Sequence, residues 1–294
     1  MRFTSAATFG LIATWWSCGF AGLQPAAAED KVAARVGDRS IMTSEIDAAV
    51  AASTRDQQLG DAALSRLRVE ALTRLVDRAL VEAAIAREGV KPTPEEIELA
   101  LARVGGEKTT VPAPILRQNV AWRLAWGAYL QRRLTDEVLS KYFVAHQRDF
   151  DGTEVRASHI LLKSDQGSLE ERRAQAGKLR DEIKQGKITF ADAARKHSGG
   201  PSRESGGDLG LISRYGVMDE AFSQAAFGLE RGDVSPPVVT PFGVHLISVT
   251  EIRPGKKKWN DVKDELRNVA GQELFVRMAS AERAKTKIEM PGKP

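Results

Sequence analysis

The chain has little cysteine and little histidine, which excludes several kinds of site. Cys18 is the only cysteine among 294 residues, and there are only four histidines. A disulfide framework needs paired cysteines and a thiolate zinc site needs several, so neither is expected. We also expect no thiol catalysis, no metal and no other cofactor.

The chain also lacks any block of charge of one sign. Its 43 Lys and Arg residues are interleaved with 39 Asp and Glu residues, for a net charge of +4. Nucleic-acid-binding proteins usually gather basic residues in a patch or arm, so no nucleic-acid partner is expected. The short run from Lys256 to Lys258 is interpreted as a solvated hinge.

A long apolar stretch occurs at the N-terminus. Arg2 precedes apolar residues from Ala6 to Phe20, and the small residues Ala26 to Ala28 follow. This order is typical of an export signal. The sequence predicts a signal peptide at residues 1–28, periplasmic localisation, and no stable membrane insertion after cleavage. The alternatives are an uncleaved membrane anchor and a lipid on Cys18.

Residues 29–150 have the pattern of a helical domain. A short strand is predicted at residues 32–36, followed by a helix capped by Ser44. Apolar residues recur every three or four positions from Leu64 to Ala83, as on one face of a long helix. The segment from Thr93 to Glu96 has a cap, a proline and a glutamate suited to the start of another helix. His146 is predicted to lie on the surface.

Residues 152–253 change to strands interleaved with helices, which predicts a small α+β domain. Alternation from Val155 to Leu162 predicts a first strand, and Ser168 with Glu171 predicts a capped helix. Another helix is expected at residues 219–227. Two further strands are expected at residues 238–240 and 244–251.

The pattern of apolar residues in residues 256–294 predicts a C-terminal helix. Its apolar stripe comprises Val262, Leu266, Val269 and Val276, and Asn260 is expected to cap it. An amphipathic helix must bury such a stripe. We therefore expect it to pack against the N-terminal helices, so that the α+β domain is inserted between two parts of one helical module.

The α+β segment resembles the parvulin family of peptidyl-prolyl isomerases through five motifs in the same order. They are Ser158-His159-Ile160-Leu161, Gly206-Gly207-Asp208-Leu209-Gly210, Met218 with Phe222, Gly232 to Val238, and Phe242-Gly243-Val244-His245. The flanking segments look like those of exported foldases of the SurA and PrsA type, in which residues 29–150 would form a chaperone-like domain.

This resemblance implies a proline-binding site that needs no cofactor. Two histidines would face each other from neighbouring strands beside a threonine, and apolar side chains would hold the proline ring. The implied catalytic residues are His159, His245 and Thr240; the implied substrate-binding residues are Leu209, Met218, Phe222 and Phe242. From the residues alone, the apolar side chains could instead be core and the histidines a structural pair.

The sequence departs from the family pattern in two places. A cysteine or aspartate often precedes the Gly-Gly-Asp-Leu-Gly motif, whereas our alignment places Gly199 there. Phosphate-directed parvulins have a basic cluster after the first strand, whereas this chain has Lys163 followed by Ser164 and Asp165. No phosphate requirement is therefore expected.

The resemblance implies a foldase that rotates X-Pro bonds in unfolded or partly folded exported proteins and holds those clients. The alternative is a non-catalytic periplasmic chaperone that uses the parvulin fold to bind peptides. A secreted hydrolase has little support, because no motif places a serine, a histidine and a carboxylate together. The sequence leaves a homodimer open.

Overall fold

The computed structural model describes residues 30–54, 59–104, 111–216 and 218–291. The predicted signal peptide with Cys18 lies outside these residues. The described part contains ten α-helices and seven strands.

The helices are α1 (Thr43–Thr54), α2 (Asp61–Arg87), α3 (Pro94–Val104), α4 (Ala113–Arg133), α5 (Asp136–Ala145), α6 (Gln147–Phe150), α7 (Leu169–Lys184), α8 (Phe190–His197), α9 (Glu220–Phe227) and α10 (Lys263–Arg283). The strands are β1 (Val32–Val36), β2 (Arg39–Met42), β3 (Glu154–Lys163), β4 (Asp208–Ser213), β5 (Val238–Thr240), β6 (Gly243–Arg253) and β7 (Ile288–Glu289).

The C-terminal segment returns to the N-terminal helices. Ala279 of α10 is buried in one apolar cluster with Val81 and Ile85 of α2. β7 pairs antiparallel with β1, which also pairs with β2. The expected architecture is therefore confirmed: a small α+β domain is inserted between an N-terminal helical module and a C-terminal helix.

The inserted domain is built on a four-stranded antiparallel sheet in the order β4-β3-β6-β5. Both faces of its central strands are covered, because β3 and β6 contribute apolar residues to two clusters. Ile160 and Leu246 pack with α7 and α8 on one face, whereas Val155 and Ile247 pack with α9 on the other. The second face carries the predicted site.

Two predicted helix starts are confirmed by their caps. The Ser168 hydroxyl accepts a hydrogen bond from the Glu171 amide, and the Glu171 carboxylate accepts one from the Ser168 amide. Thr93 and Glu96 make the same reciprocal pair. These side chains satisfy amides that the first helical turn leaves without partners.

Two other predicted caps are wrong. Ser44 lies inside α1, where its amide and hydroxyl both donate to the carboxylate of Asp30. Asn260 lies in a 3-10 turn, Trp259–Val262, that precedes α10. In that turn the Asp261 carboxylate accepts from the Lys258 amide, so a residue next to the predicted one provides the contact.

The predicted stripe of α10 is correct in its first half only. Leu266 is fully buried, whereas Val276 is 66% exposed. Further along the helix, Phe275 and Ala279 face the core instead. The contact face shifts because α10 packs against α5 at its start and α2 towards its end.

No helix in the described residues is both long enough and apolar enough to cross a membrane.

Candidate active site

Two buried histidines lie side by side on the central strands of the inserted domain. His159 of β3 is 7% exposed and His245 of β6 is 5% exposed. Leu161 is the register partner of His245, so the histidines are diagonal neighbours on one face of an antiparallel pair. Their Nδ1 atoms are 3.2 Å apart, and their ring centroids are 5.4 Å apart.

Thr240 of β5 extends this contact into a hydrogen-bonded chain. Its Oγ1 atom lies 2.8 Å from Nε2 of His245 and accepts a hydrogen bond from the Phe242 amide at 3.2 Å. Because the hydroxyl oxygen already accepts that bond, its hydrogen is best placed to donate to His245 Nε2. We assign the His245 proton to Nδ1, which donates to His159 Nδ1. His159 then carries its own proton on Nε2.

Both imidazoles are held in the neutral form. Burial lowers the pKa of His159. Burial also lowers the pKa of His245 to about 4, helped by the charge of His159 and opposed by Asp219. Removing an imidazolium from water is unfavourable, so at neutral pH the pair forms an uncharged chain of donors and acceptors.

Nε2 of His159 is buried and has no hydrogen-bond partner within the described residues. A Cβ atom on Gly200 would lie 2.9 Å from this nitrogen, whereas one on Gly199 would meet the side chain of Lys163. The position that faces the histidines is therefore Gly200, one residue beyond the predicted Gly199. Neither an acid nor a thiol faces the pair there.

Phe222 supplies an aromatic wall to the histidine pair. It is 3% exposed and lies on α9, whose first turn is capped by Asp219. Its ring meets His159 edge-on at 5.9 Å and His245 edge-on at 5.5 Å between centroids. Edge-to-face contacts of this kind are favourable and fix ring orientation.

The other predicted apolar residues divide into two groups. Leu209 and Met218 are half-buried and pack against the same cluster as Phe222. Phe242 is 67% exposed on the turn between β5 and β6 and belongs to none of the apolar clusters of the described residues. The structure therefore brings together six of the seven predicted side chains.

Sequence reasoning missed Ser198, which holds the strand beside the histidines. It is 3% exposed, and its hydroxyl accepts hydrogen bonds from the amides of Leu161 and Gly200, each at 3.1 Å. Its place directly after α8 was the available signal, because serine at a helix end commonly bonds to nearby backbone.

Sequence reasoning also missed the contacts by which the helical module holds α9 in place. Arg148 of α6 donates to the carbonyls of Phe227 and Leu229 at the end of α9, at 3.2 and 2.9 Å. At the other end, Arg214 pairs with Glu220 of α9 at 2.6 Å and with Asp149 of α6 at 3.2 Å. The helix that carries Phe222 is thus tied to α6 at both ends.

The described residues contain no group of three or more His, Cys, Asp or Glu side chains placed to hold a metal ion. The chemistry available at the site is that of two neutral imidazoles, a hydroxyl and an apolar wall.

Comparison with known proteins agrees with this geometry. Residues 159–251 match the model of the PPIC-type PPIase domain, and residues 3–105 match that of the SurA-like N-terminal domain. The foldase protein PrsA of Geobacillus kaustophilus is 30% identical over 214 residues, which cover 67% of this chain and 68% of that protein. The chain belongs to the PpiC-type foldase family.

Other relatives of this PpiC-type foldase match over shorter stretches. The foldase protein PrsA of Bacillus subtilis is 38% identical over 134 residues, covering 46% of this chain and 42% of the relative. The chaperone SurA of Cupriavidus pinatubonensis is 43% identical over 112 residues, covering 36% of this chain and 22% of the relative. The match thus spans less than half of either relative. The resemblance predicted from the motifs is confirmed.

Proposed function

We propose that this PpiC-type foldase catalyses the cis-trans isomerisation of X-Pro peptide bonds in unfolded polypeptides. Rotation about a peptide bond must cross a barrier of about 18–20 kcal/mol, because the planar amide has partial double-bond character. No covalent bond need be broken. A site accelerates the rotation when it binds the twisted amide more tightly than the planar one.

The observation that supports this proposal is the neutral histidine pair walled by Phe222. An apolar surface formed by Leu209, Met218 and Phe222 would hold the pyrrolidine ring and exclude water from the preceding carbonyl. The planar amide is the more polar form, so a dry site destabilises it relative to the twisted form. The chain from Thr240 through the two imidazoles would fix the floor of the site without adding charge.

The surface after β3 supports a substrate without phosphate. In the sequence from Lys163 to Gly167, Lys163 is the one basic residue, and it is followed by the acidic Asp165. A dianionic phosphoserine is normally bound by several basic side chains that donate to its oxygens together. An unphosphorylated peptide is therefore the proposed substrate.

We further propose that the mature chain begins near Glu29, works in the periplasm and holds unfolded exported clients through its helical module. The signal-like order of residues 1–28 supports export, and the names of the PrsA and SurA relatives support a folding role. A homodimer through the helical module belongs to the same proposal and is tested by the mass of the protein in solution.

Gly200 favours a second candidate, a chaperone that binds peptides without isomerising them. No side chain at this position faces His159 Nε2. If the family's usual acid or thiol is needed for turnover, the apolar wall would still bind peptide but would not accelerate rotation.

An isomerisation assay on a short unphosphorylated X-Pro peptide separates the two candidates. We expect residues 29–294 to accelerate exchange above the uncatalysed rate. Phe222→Ala should lower kcat/KM by about tenfold or more, because a buried phenyl ring contributes about 1.5–3 kcal/mol of apolar contact. Met218→Ala should lower it less, since Met218 is half-buried.

Phe190→Ala is the matched control for lost packing. Phe190 packs against the cluster on the opposite face of the sheet, so its loss should lower stability and leave kcat/KM close to that of the parent protein. No acceleration by the parent protein, together with suppressed aggregation of reduced, denatured lysozyme, would support the chaperone instead.

A further inference from the structure

The helical module has a surface groove that the isomerase site does not use. The groove lies between α3 and α4 and has a volume of about 500 Å³. Its apolar part comprises Val90, Pro92, Leu99, Ala100, Leu124, Ala125 and Ala128, with Gly127 beside them. Leu99 is 59% exposed at the rim, so an apolar contact surface is presented to solvent.

Positive charge surrounds this groove. The four basic residues that line it are Lys91, Arg103, Arg123 and Arg132. Within the described residues, none of the four has a carboxylate at ion-pair distance or another side-chain hydrogen bond. Glu96 is the one acidic residue in the lining, and its carboxylate already accepts from the Thr93 amide.

The arginines of α4 show that this arrangement is local. α4 contains four arginines and no acidic residue over 21 positions. Arg117 pairs with Glu98, and Arg133 pairs with Glu88. Arg123 and Arg132, which face the groove, are left without such partners in the described part of the chain. Like charges gathered in a cleft attract anions to it.

We propose that the α3–α4 groove binds an acidic segment of an unfolded polypeptide in which Asp or Glu residues flank an aliphatic or aromatic side chain. The apolar side chain would lie on the Leu99 and Ala100 surface, and its carboxylate neighbours would pair with Arg123 and Arg132. Gly127 lets the peptide backbone approach α4 closely. This inference rests on the proposed client-holding role of the helical module and specifies which clients it favours.

The groove favours a polypeptide over other polyanions because its cations flank an apolar floor. Nucleic acid and phospholipid headgroups present phosphate but no short apolar side chain next to each charge. Exposed ion pairs are individually weak and are screened by salt. Binding should therefore need both the apolar contact and several charges, and it should weaken as ionic strength rises.

Fluorescence anisotropy with two labelled, proline-free peptides tests the proposal on residues 29–294. The peptides share their apolar residues, and one carries Asp and Glu where the other carries Lys. We expect the acidic peptide to bind about tenfold more tightly at low salt and to lose that advantage in 1 M salt, where the Debye length is about 3 Å. Arg123→Glu/Arg132→Glu should remove the preference.

Arg66→Glu/Arg277→Glu is the matched control. Both residues are exposed on helices of the same module outside the groove, and the change in net charge is identical. This variant should retain the preference. Equal binding of both peptides by the parent protein, or equal loss in the two double variants, would overturn the proposal. Tighter binding of RNA or anionic phospholipid vesicles with the same arginine dependence would also overturn it.

The two labelled peptides contain no proline, so their binding does not depend on isomerase activity. The test of the groove is therefore separate from the test of the proposed function. Arg123→Glu/Arg132→Glu should isomerise a short X-Pro peptide at the parent rate, because the described groove that the two arginines line includes no residue of the inserted domain. If the protein isomerises the X-Pro peptide but shows no preference for the acidic peptide, the proposal for the groove fails and the proposed isomerase activity stands. If the protein prefers the acidic peptide but does not isomerise the X-Pro peptide, the proposal for the groove stands and the proposed isomerase activity fails.

Discussion

The inserted domain and the helical module differ in where they place the polar groups of their two candidate sites. The inserted domain buries two imidazoles and a hydroxyl at the centre of its functional face, and burial keeps the imidazoles uncharged. The helical module has a mainly apolar core, in which Glu45 is buried beside Arg39, and it leaves the four cations of the α3–α4 groove at the surface. One region is suited to act on a desolvated amide, whereas the other is suited to select by charge.

The two regions also differ in the interactions that stabilise them. In the helical module, stability comes from apolar contacts between α10 and the N-terminal helices, so a core truncation there should have the largest effect. In the inserted domain, the buried polar groups make stability depend on pH. The contacts of α6 with α9 connect the two regions and should have the smallest effect.

Leu266→Ala tests the apolar contribution of α10. Leu266 is fully buried with Leu139, Phe143 and Phe150. We expect its truncation to lower the free energy of unfolding by about 2–5 kcal/mol, because a buried leucine loses both transfer free energy and packing. Urea unfolding followed by circular dichroism measures the change.

Val276→Ala on the same helix is the control for Leu266→Ala. Val276 is 66% exposed, so we expect a change within about 0.5 kcal/mol. Similar losses in the two variants would show that burial of Leu266 stabilises the fold no more than the exposed Val276 does, because alanine has a higher helix propensity than either residue. The comparison between the two regions would then fail.

The histidine pair should make stability fall as the pH falls below neutral. The unfolded chain gains protons on these histidines near pH 6.5, whereas folding lowers the pKa of His245 to about 4. Between these values the unfolded state binds more protons than the folded state. The free energy of unfolding therefore falls by up to about 3 kcal/mol as the pH is lowered from 6.5 to 4. The loss should be complete near pH 4.

Urea titrations at pH 7, 6 and 5 measure this slope above the range in which the carboxylates of Asp208 and Glu220 titrate, since pairing with arginines lowers their pKa. His245→Leu should flatten the slope. The double variant His146→Asn/His197→Asn, which changes two histidines outside the pair, should keep it. An unchanged slope in His245→Leu would refute the buried pair as its source.

Motifs and local patterns predicted much of this molecule, and the reason is physical. The histidine pair was predictable because its members lie in two motifs of one family, and the resemblance to that family implied that they face each other from neighbouring strands. The caps at Ser168 and Thr93 were predictable because both partners lie within three residues of each other. The position opposite His159 was predicted one residue too early, at Gly199 instead of Gly200. Two adjacent glycines fit the motif equally well, so the sequence alone does not distinguish them.

The individual side-chain contacts between α6 and α9 were not predictable. Arg148 and Arg214 carry no local signature, since a charged residue on a helix end or after a strand is usually solvated. Their roles arise only when α6 and α9 meet. The exposure of Phe242 and of Val276 has the same origin, because periodicity gives the face of an element but not where its neighbour ends.

Arg148→Ala should loosen α9 and so test whether the two regions are independent. The guanidinium donates to two carbonyls at the end of α9 and pairs with Glu230 at 3.0 Å. Cations are favourable at a helix C-terminus, and hydrogen bonds from charged donors are stronger than neutral ones. We expect the opening free energy of α9 amides in hydrogen exchange to fall by about 1–2 kcal/mol.

Arg253→Ala is the control for this last effect, because the side chain of Arg253, in the inserted domain, pairs with Glu251 two positions away and with no other side chain of the described residues. It should leave the exchange of α9 amides unchanged. Slower isomerisation in Arg148→Ala, with no change in Arg253→Ala, would show that α6 positions the wall formed by Phe222. Identical α9 exchange in both variants would instead show that the inserted domain orders its site without the helical module.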